Sequence, residues 1–182
     1  LVDEILLASR LDAREADVGT VELVDLIGLA AEECARVDAE LDVTAVPEGL
    51  EVRGVAKLLR RALRNLLENA RRYSQGDITV VLQRHDGQAQ LSVLDRGPGV
   101  PPALRERIFE PFYRLPGASE RAGGVGLGLA LVRSIAQRHN GSVRCEDQPD
   151  GSGGACFVLR LPLHSPPGTA APAPQRKGTE AK

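Results

Sequence analysis

The chain has 182 residues, 42% of them hydrophobic and 26% charged, which suits one folded domain with a real core and excludes fibrous and wholly disordered classes. Twenty-three basic residues against 25 acidic ones give a net charge of −2, so no global positive field invites nucleic acid or an anionic membrane surface. The longest nearly apolar stretch, residues 124–132, is far shorter than the ~20 residues needed to cross a bilayer.

In chain order, residues 1–16 carry Val2, Ile5, Leu6 and Leu11 at roughly helical spacing and read as the end of a longer helix. A second helix is expected over 22–39, with Leu23, Leu26, Ile27, Ala30, Cys34 and Val37 on one stripe. Residues 41–46 alternate as a short strand and 50–53 follow a Pro-Glu-Gly turn, which together predict a hairpin. Over 55–73, Leu58, Leu59, Ala62, Leu63, Leu66, Leu67 and Ala70 describe a long amphipathic helix. Residues 78–84 and 90–94 are alternating strands joined at His85-Asp86-Gly87. A further helix is predicted over 126–139, stopped by Asn140-Gly141, and strands over 142–146 and 155–161 close the domain. The Pro/Ala-rich run from His164 onward has almost nothing to bury and reads as a tail. These elements predict an α+β two-layer sandwich, a mixed sheet covered on one face by helices, with its domain over 17–163. The three cysteines, Cys34, Cys145 and Cys156, are odd in number and far apart, which fits reduced thiols better than disulfides or a zinc site. The chain opens on Leu1, contains no methionine and is expected to be a piece of a longer protein.

Eleven of the 19 glycines fall between Gly97 and Gly154, and they accompany the residues that could carry chemistry. Asn65 and Asn69 lie four apart, hence on one helix face, with Arg72 and Tyr73 one turn on. They are either exposed polar positions or oxygen donors for a hard cation such as Mg²⁺ shared with substrate phosphates. Asp95-Arg96-Gly97-Pro98-Gly99 stands where a strand leaves the sheet. It is either an Asp-initiated turn or a rigid carboxylate awaiting a ligand amino group, with glycines letting a flat ring approach. Gly123-Gly124-Val125-Gly126-Leu127-Gly128 enters a helix, where bare backbone N–H groups suit a polyphosphate. Its Gly-x-Gly-x-Gly spacing is neither a dinucleotide fingerprint nor a Walker loop.

RNLLENARRYS at 64–74 resembles the N box of sensor histidine kinases, DRGPG at 95–99 their first glycine box, IFEPFYR at 108–114 their F box, and GGVGLGLALVRSIAQRHNG at 123–141 their second glycine box with its helix. All four occur in family order, and GSGGACF before the last strand is similar to the turn that ends such domains, so the resemblance covers about residues 21–162. It implies the Bergerat ATP-binding fold shared by histidine kinases, Hsp90-type chaperones and type II topoisomerases. By that resemblance Asn69 binds Mg²⁺, Asn65 supports the same metal and phosphate site, Arg72 faces phosphate, and Tyr73 lies near the nucleotide. Asp95 reads the adenine amino group, and Gly97 and Gly99 give the ring room. Gly124, Val125, Gly126, Leu127 and Gly128 lie at the hinge of an ATP lid and against the phosphates, with Phe109 and Phe112 anchoring that lid.

In ATPase branches of this superfamily a glutamate stands four residues before the metal asparagine and activates water; here that position is Asn65, which is no base. Glu68 is not expected to replace it, because adjacent helix positions point about 100° apart. Transfer to an acceptor other than water is therefore favoured. Val125 stands where the family often has a small polar residue. None of His85, His139 and His164 matches the family's phosphoacceptor motif. The resemblance thus implies the ATP-binding half of a two-component kinase, cytoplasmic, attached to an inner-membrane sensor and dimeric in the intact protein. Its partners would be a phosphoacceptor histidine hairpin and a response regulator receiver domain, with no nucleic acid. The alternatives are an anti-sigma-type serine kinase and a non-catalytic nucleotide-binding module of the same fold.

Overall fold

The computed structural model describes residues 19–116 and 125–164; the predicted opening helix over 1–16 and the tail from 165 lie outside them. Five strands form the main sheet, in the order β2 (Glu40–Asp42), β4 (Thr79–His85), β5 (Gln88–Leu94), β7 (Cys156–Pro162), β6 (Ser142–Glu146). Only β2 runs parallel to its neighbour. The helices α1 (Leu26–Ala35), α2 (Ala56–Tyr73) and α3 (Gly128–Arg138) complete the α+β sandwich. Strand alternation sends Val80, Leu82, Ala89, Leu91, Val93, Phe157, Leu159 and Leu161 into the buried core. In register on the opposite face stand Gln83, Gln90 and Arg160, and Arg160 donates from Nε to Gln90 Oε1 at 2.9 Å.

Helix α2 forms as the spacing requires. Its seven predicted apolar residues are all buried while arginines, asparagines and Glu68 occupy the other side. Each fully buried leucine contributes roughly 1.5–3 kcal/mol of transfer free energy. The β4–β5 hairpin turns through Asp86 at φ 48° and Gly87 at φ 72°, the left-handed pair that a two-residue turn needs. Helix α3 stops where Asn140 adopts φ 54° and the Gly141 N–H reaches back to Ala136 O at 2.8 Å. Gly141 also lies hard against β7, since a Cβ there would come within 2.1 Å of Arg160 O.

Two expectations are corrected. Residues 22–25 are not helical: Glu22–Asp25 form β1, antiparallel to β3 (Glu51–Gly54). Asp25 then caps α1 by accepting the Ile27 N–H at 2.9 Å, so its side chain ends the strand and starts the helix. Helix α1 stops at Ala35, well before residue 39, where the Val37 and Ala39 N–H groups both turn back to Cys34 O. The predicted hairpin of 41–46 with 50–53 does not form either. Strand β2 is ended by Asp42, whose Oδ1 accepts from the Thr44 N–H and hydroxyl, and its partner is β4, whereas β3 pairs with β1.

His139 plays a structural part. Its Nε2 accepts the Val55 N–H at 3.0 Å, and its Nδ1 lies 2.7 Å from Ile135 O and donates to it, tying the end of α3 to the entry of α2. The cysteines are free and buried, and burial pushes the Cys34 and Cys156 thiols up to about 11. Among the described residues no helix is long and apolar enough to cross a membrane.

Candidate functional site

A cavity of about 260 Å³ opens between the polar face of α2, the segment leaving β5, and the entry of α3. Helix α2 contributes Asn65, Glu68, Asn69, Arg72 and Tyr73; beyond it, Asp95 and Gly99 stand at one end and Val125 to Leu129 at the other, with Ala155 and Phe157 between the walls. From Asn65 to Tyr73 the helix advances about 12 Å, so the cavity is an elongated trough.

At the β5 end sits Asp95, only 3% exposed. Its Oδ1 accepts the N–H of Gly97 at 2.8 Å and of Ala155 at 3.2 Å, which leaves Oδ2 for another donor. Burial raises its carboxyl above the usual aspartate range, and the two N–H bonds offset part of that rise. The Asp95 carbonyl is held as well. Buried Gln148 donates to it from Nε2, and the Ser152 hydroxyl donates to Gln148 Oε1 at 3.3 Å. Gly154, at φ 90°, lies so close that a Cβ would stand 1.9 Å from Asp95 O. Phe157 below is met edge-on by Phe109 at 6.4 Å between ring centres.

The other end is built differently. Gly128 opens α3 beside Asn65, where a Cβ would lie 3.5 Å from Asn65 Oδ1. No side chain caps the helix, so its first N–H groups have no partner within it and carry the positive end of its dipole. Asn65 and Asn69 are half-buried, and neither carboxamide bonds another described residue. Exposed Arg72 adds a cation at the last turn of α2. At the rim the Phe112 N–H donates to Gly126 O at 2.9 Å, joining the two chain ends that flank residues 117–124. Gly126 adopts φ 77°, and a Cβ on it would meet the Phe112 backbone at 2.9 Å.

Of the residues singled out in the sequence, Asn65, Asn69, Arg72, Tyr73, Asp95, Gly99, Val125, Gly126, Leu127 and Gly128 all line this one cavity. Gly124 lies outside the described residues. Gly97 does not line the cavity; its bare Cα accommodates the Tyr73 carbonyl, which a Cβ would approach to 2.6 Å. Phe109 is buried, whereas Phe112 is 40% exposed and holds the rim through its backbone N–H. Glu68 does line the cavity. Residues 65, 68, 69 and 72 fall at i, i+3, i+4 and i+7, one helix face, so the angle between direct neighbours does not remove it. Gln148 and Gly154 carry no motif of their own and emerge only from their contacts with Asp95.

Among the described residues no three His, Cys, Asp or Glu side chains gather as a metal site. Two open carboxamides beside an uncapped helix start suit a hard cation that brings phosphate oxygens with it, since Mg²⁺ is usually bound through few protein ligands and shared with substrate. The residues therefore fit such an ion. Chemically, the trough can accept a donor at Oδ2 of Asp95 at one end and hold an anion at the other.

Residues 54–165 match the family model described as histidine kinase-, DNA gyrase B-, and HSP90-like ATPase. The sensor-like histidine kinase SenX3 of Mycolicibacterium smegmatis is 35% identical over 176 residues, which is 92% of this chain and 45% of the relative. The chain thus spans less than half the length of that curated relative. Among solved structures, the mycobacterial sensor histidine kinase MprB superposes with a TM-score of 0.68 at 33% identity, over 79% of this chain and 98% of that one. The ATP binding domain of PrrB from Mycobacterium tuberculosis does so with 0.63 at 30% identity, over 81% and 100%.

Proposed function

Because the chain belongs to the histidine kinase-, DNA gyrase B-, and HSP90-like ATPase family, in its sensor histidine kinase branch, we propose that its trough binds Mg-ATP and presents the γ-phosphoryl group to a histidine of a separate hairpin. The single observation that supports this best is the pairing of opposites across one cavity: a buried carboxylate with a free oxygen at one end, and open carboxamides beside an uncapped helix start at the other.

In this reading the adenine amino group donates to Asp95 Oδ2, Tyr73 and Gly99 flank the base, and the triphosphate runs along α2 toward Gly128. The N–H groups at residues 126–128 and the Arg72 guanidinium take the phosphate charge, and Val125 completes the rim. Asn69, with Asn65 beside it, would hold Mg²⁺, which supplies charge neutralisation at the phosphates when bound. Phosphoryl transfer depends mainly on positioning and charge compensation. Asn65 cannot take a proton from water, and Glu68 stands directly before Asn69 rather than four residues before it, where the ATPase branches carry their base, so the trough holds ATP until a better nucleophile arrives. The acceptor imidazole nitrogen then forms the new bond to phosphorus as the bond to the β-phosphate oxygen breaks, and ADP departs.

In the intact protein the phosphohistidine would pass its phosphoryl group to an aspartate of a response regulator receiver domain. The whole protein would be a homodimeric inner-membrane sensor with this domain, residues 17–163, on the cytoplasmic side, between the end of the hairpin and a tail.

Calorimetric titration of the chain with a non-hydrolysable ATP analogue, followed by transfer from ATP to an added acceptor hairpin, tests the proposal. Asp95→Asn is expected to weaken analogue binding at least ten-fold, and Asn69→Ala to abolish Mg²⁺-dependent transfer. Unchanged binding in the first overturns the adenine assignment, and unchanged transfer in the second overturns the metal assignment.

A further inference from the structure

Glu68 and Asp95 are the two carboxylates among the described residues lining the cavity. Asp95 is enclosed by backbone, whereas Glu68 is exposed and stands on the α2 face shared by Asn65, Asn69 and Arg72. Three residues on from Asn65, it lies about 4.5 Å further along the axis, on the wall along which a polyphosphate would run. The cation one turn before it, Arg64, is already engaged: its Nε and Nη2 both reach Glu33 at 2.9 Å. One turn after it stands Arg72. Glu68 therefore puts a negative charge among neutral carboxamides, helix N–H groups and two lining arginines, Arg72 and Arg114, with the other carboxylate, Asp95, beyond Tyr73.

That placement cuts two ways. A bare triphosphate meets like charge there, whereas a divalent cation travelling with the phosphates meets opposite charge. We infer that Glu68 makes triphosphate binding conditional on the divalent cation, repelling the metal-free nucleotide and attracting the metal. This rests on the reading of the trough as a nucleotide site and adds to it the residue that sets its metal dependence.

The experiment measures dissociation constants of the full chain and of Glu68→Gln for a non-hydrolysable ATP analogue and for adenosine, each in Mg²⁺ and in EDTA. In EDTA the variant is expected to bind the analogue about three- to ten-fold more tightly than the wild type, the size of one screened charge contact. The ratio of the constants without and with Mg²⁺ should fall by at least that factor, with adenosine affinity unchanged. An unchanged ratio, or a parallel loss of analogue and adenosine affinity, overturns the inference while leaving the nucleotide site standing. A wild-type chain that binds neither ligand overturns the nucleotide reading and this inference with it.

Discussion

The two ends of the trough are made by opposite means. Around Asp95 the groups are held in place before any ligand arrives, with only Oδ2 left open: two N–H bonds on the other carboxylate oxygen, Gln148 on the carbonyl, and Gly154 pressed against that same carbonyl. Around Asn65, Asn69 and Gly128 there are open carboxamides, an uncapped helix and a rim pinned by one Phe112–Gly126 hydrogen bond. One end is shaped by the fold and the other is completed by what binds. Substitutions at the first should therefore cost stability and binding together, and substitutions at the second should cost binding alone.

Gly154→Ala gives the largest effect. With φ at 90° and 1.9 Å available to a Cβ, the β6–β7 loop must move off Asp95, costing about 3 kcal/mol of stability. Chemical denaturation would read that loss, and analogue binding should fall with it. A variant as stable as the wild type would break the claim that this end is preformed. Gln148→Leu follows at about 1–2 kcal/mol, because the Asp95 carbonyl is left buried without its donor. Analogue affinity should drop up to ten-fold.

Acidification separates fold from binding by a smaller margin. Burial raises the Asp95 carboxyl, so its protonation favours the folded state, yet it removes the ionised acceptor that the ligand amino group needs. Glu33 behaves in the opposite sense. It is 1% exposed between Arg60 and Arg64, and the Arg64 hydrogen bonds, with help from Arg60, hold its carboxyl low against desolvation. Its stabilisation is full above the unfolded glutamate range and is lost as pH falls through its lowered folded value. In the window between the two, the α1–α2 clamp stands while affinity declines a few-fold per pH unit. Titrations of wild type and Asp95→Asn at each pH isolate the effect, because nucleotide protonation is common to both. A pH-independent ratio of their affinities would remove Asp95 from the binding step.

What could be read from the sequence follows the range of the interactions. Helix α2 was legible because seven apolar residues at one spacing leave no other fold for that stretch, and the β4–β5 hairpin because Asp86-Gly87 suits one turn. Strand β1 was not: four residues of alternation run straight into the stripe of α1, and the partner that decides the matter, β3, lies beyond both α1 and β2. Strand β2 pairs with β4, beyond β3 and α2, and not with the nearby residues 50–53, for the same reason. In the site, Asn65, Asn69 and Asp95 sit in dense local motifs, whereas Gln148 reaches Asp95 across 53 residues and has no signature until the fold brings them together. The angle between Glu68 and its neighbour Asn69 hides what the numbering shows, that residues 65, 68, 69 and 72 share one helix face.

The smallest expected change, and the sharpest test of the contrast, is Asn65→Ala. Asn65 is half-buried and bonds no other described residue, so removing its carboxamide leaves no buried group unpaired. Alanine is also the better helix former by roughly half a kcal/mol at an interior position of α2. Thermal unfolding should therefore show a change within about 0.5 kcal/mol, neutral or slightly stabilising, while affinity for adenosine is kept and affinity for the Mg²⁺-loaded ATP analogue falls. A residue that a fold would be as stable without is retained for what it binds. If Asn65→Ala instead lowers stability as Gln148→Leu does, the phosphate end is as preformed as the base end and the distinction between them collapses.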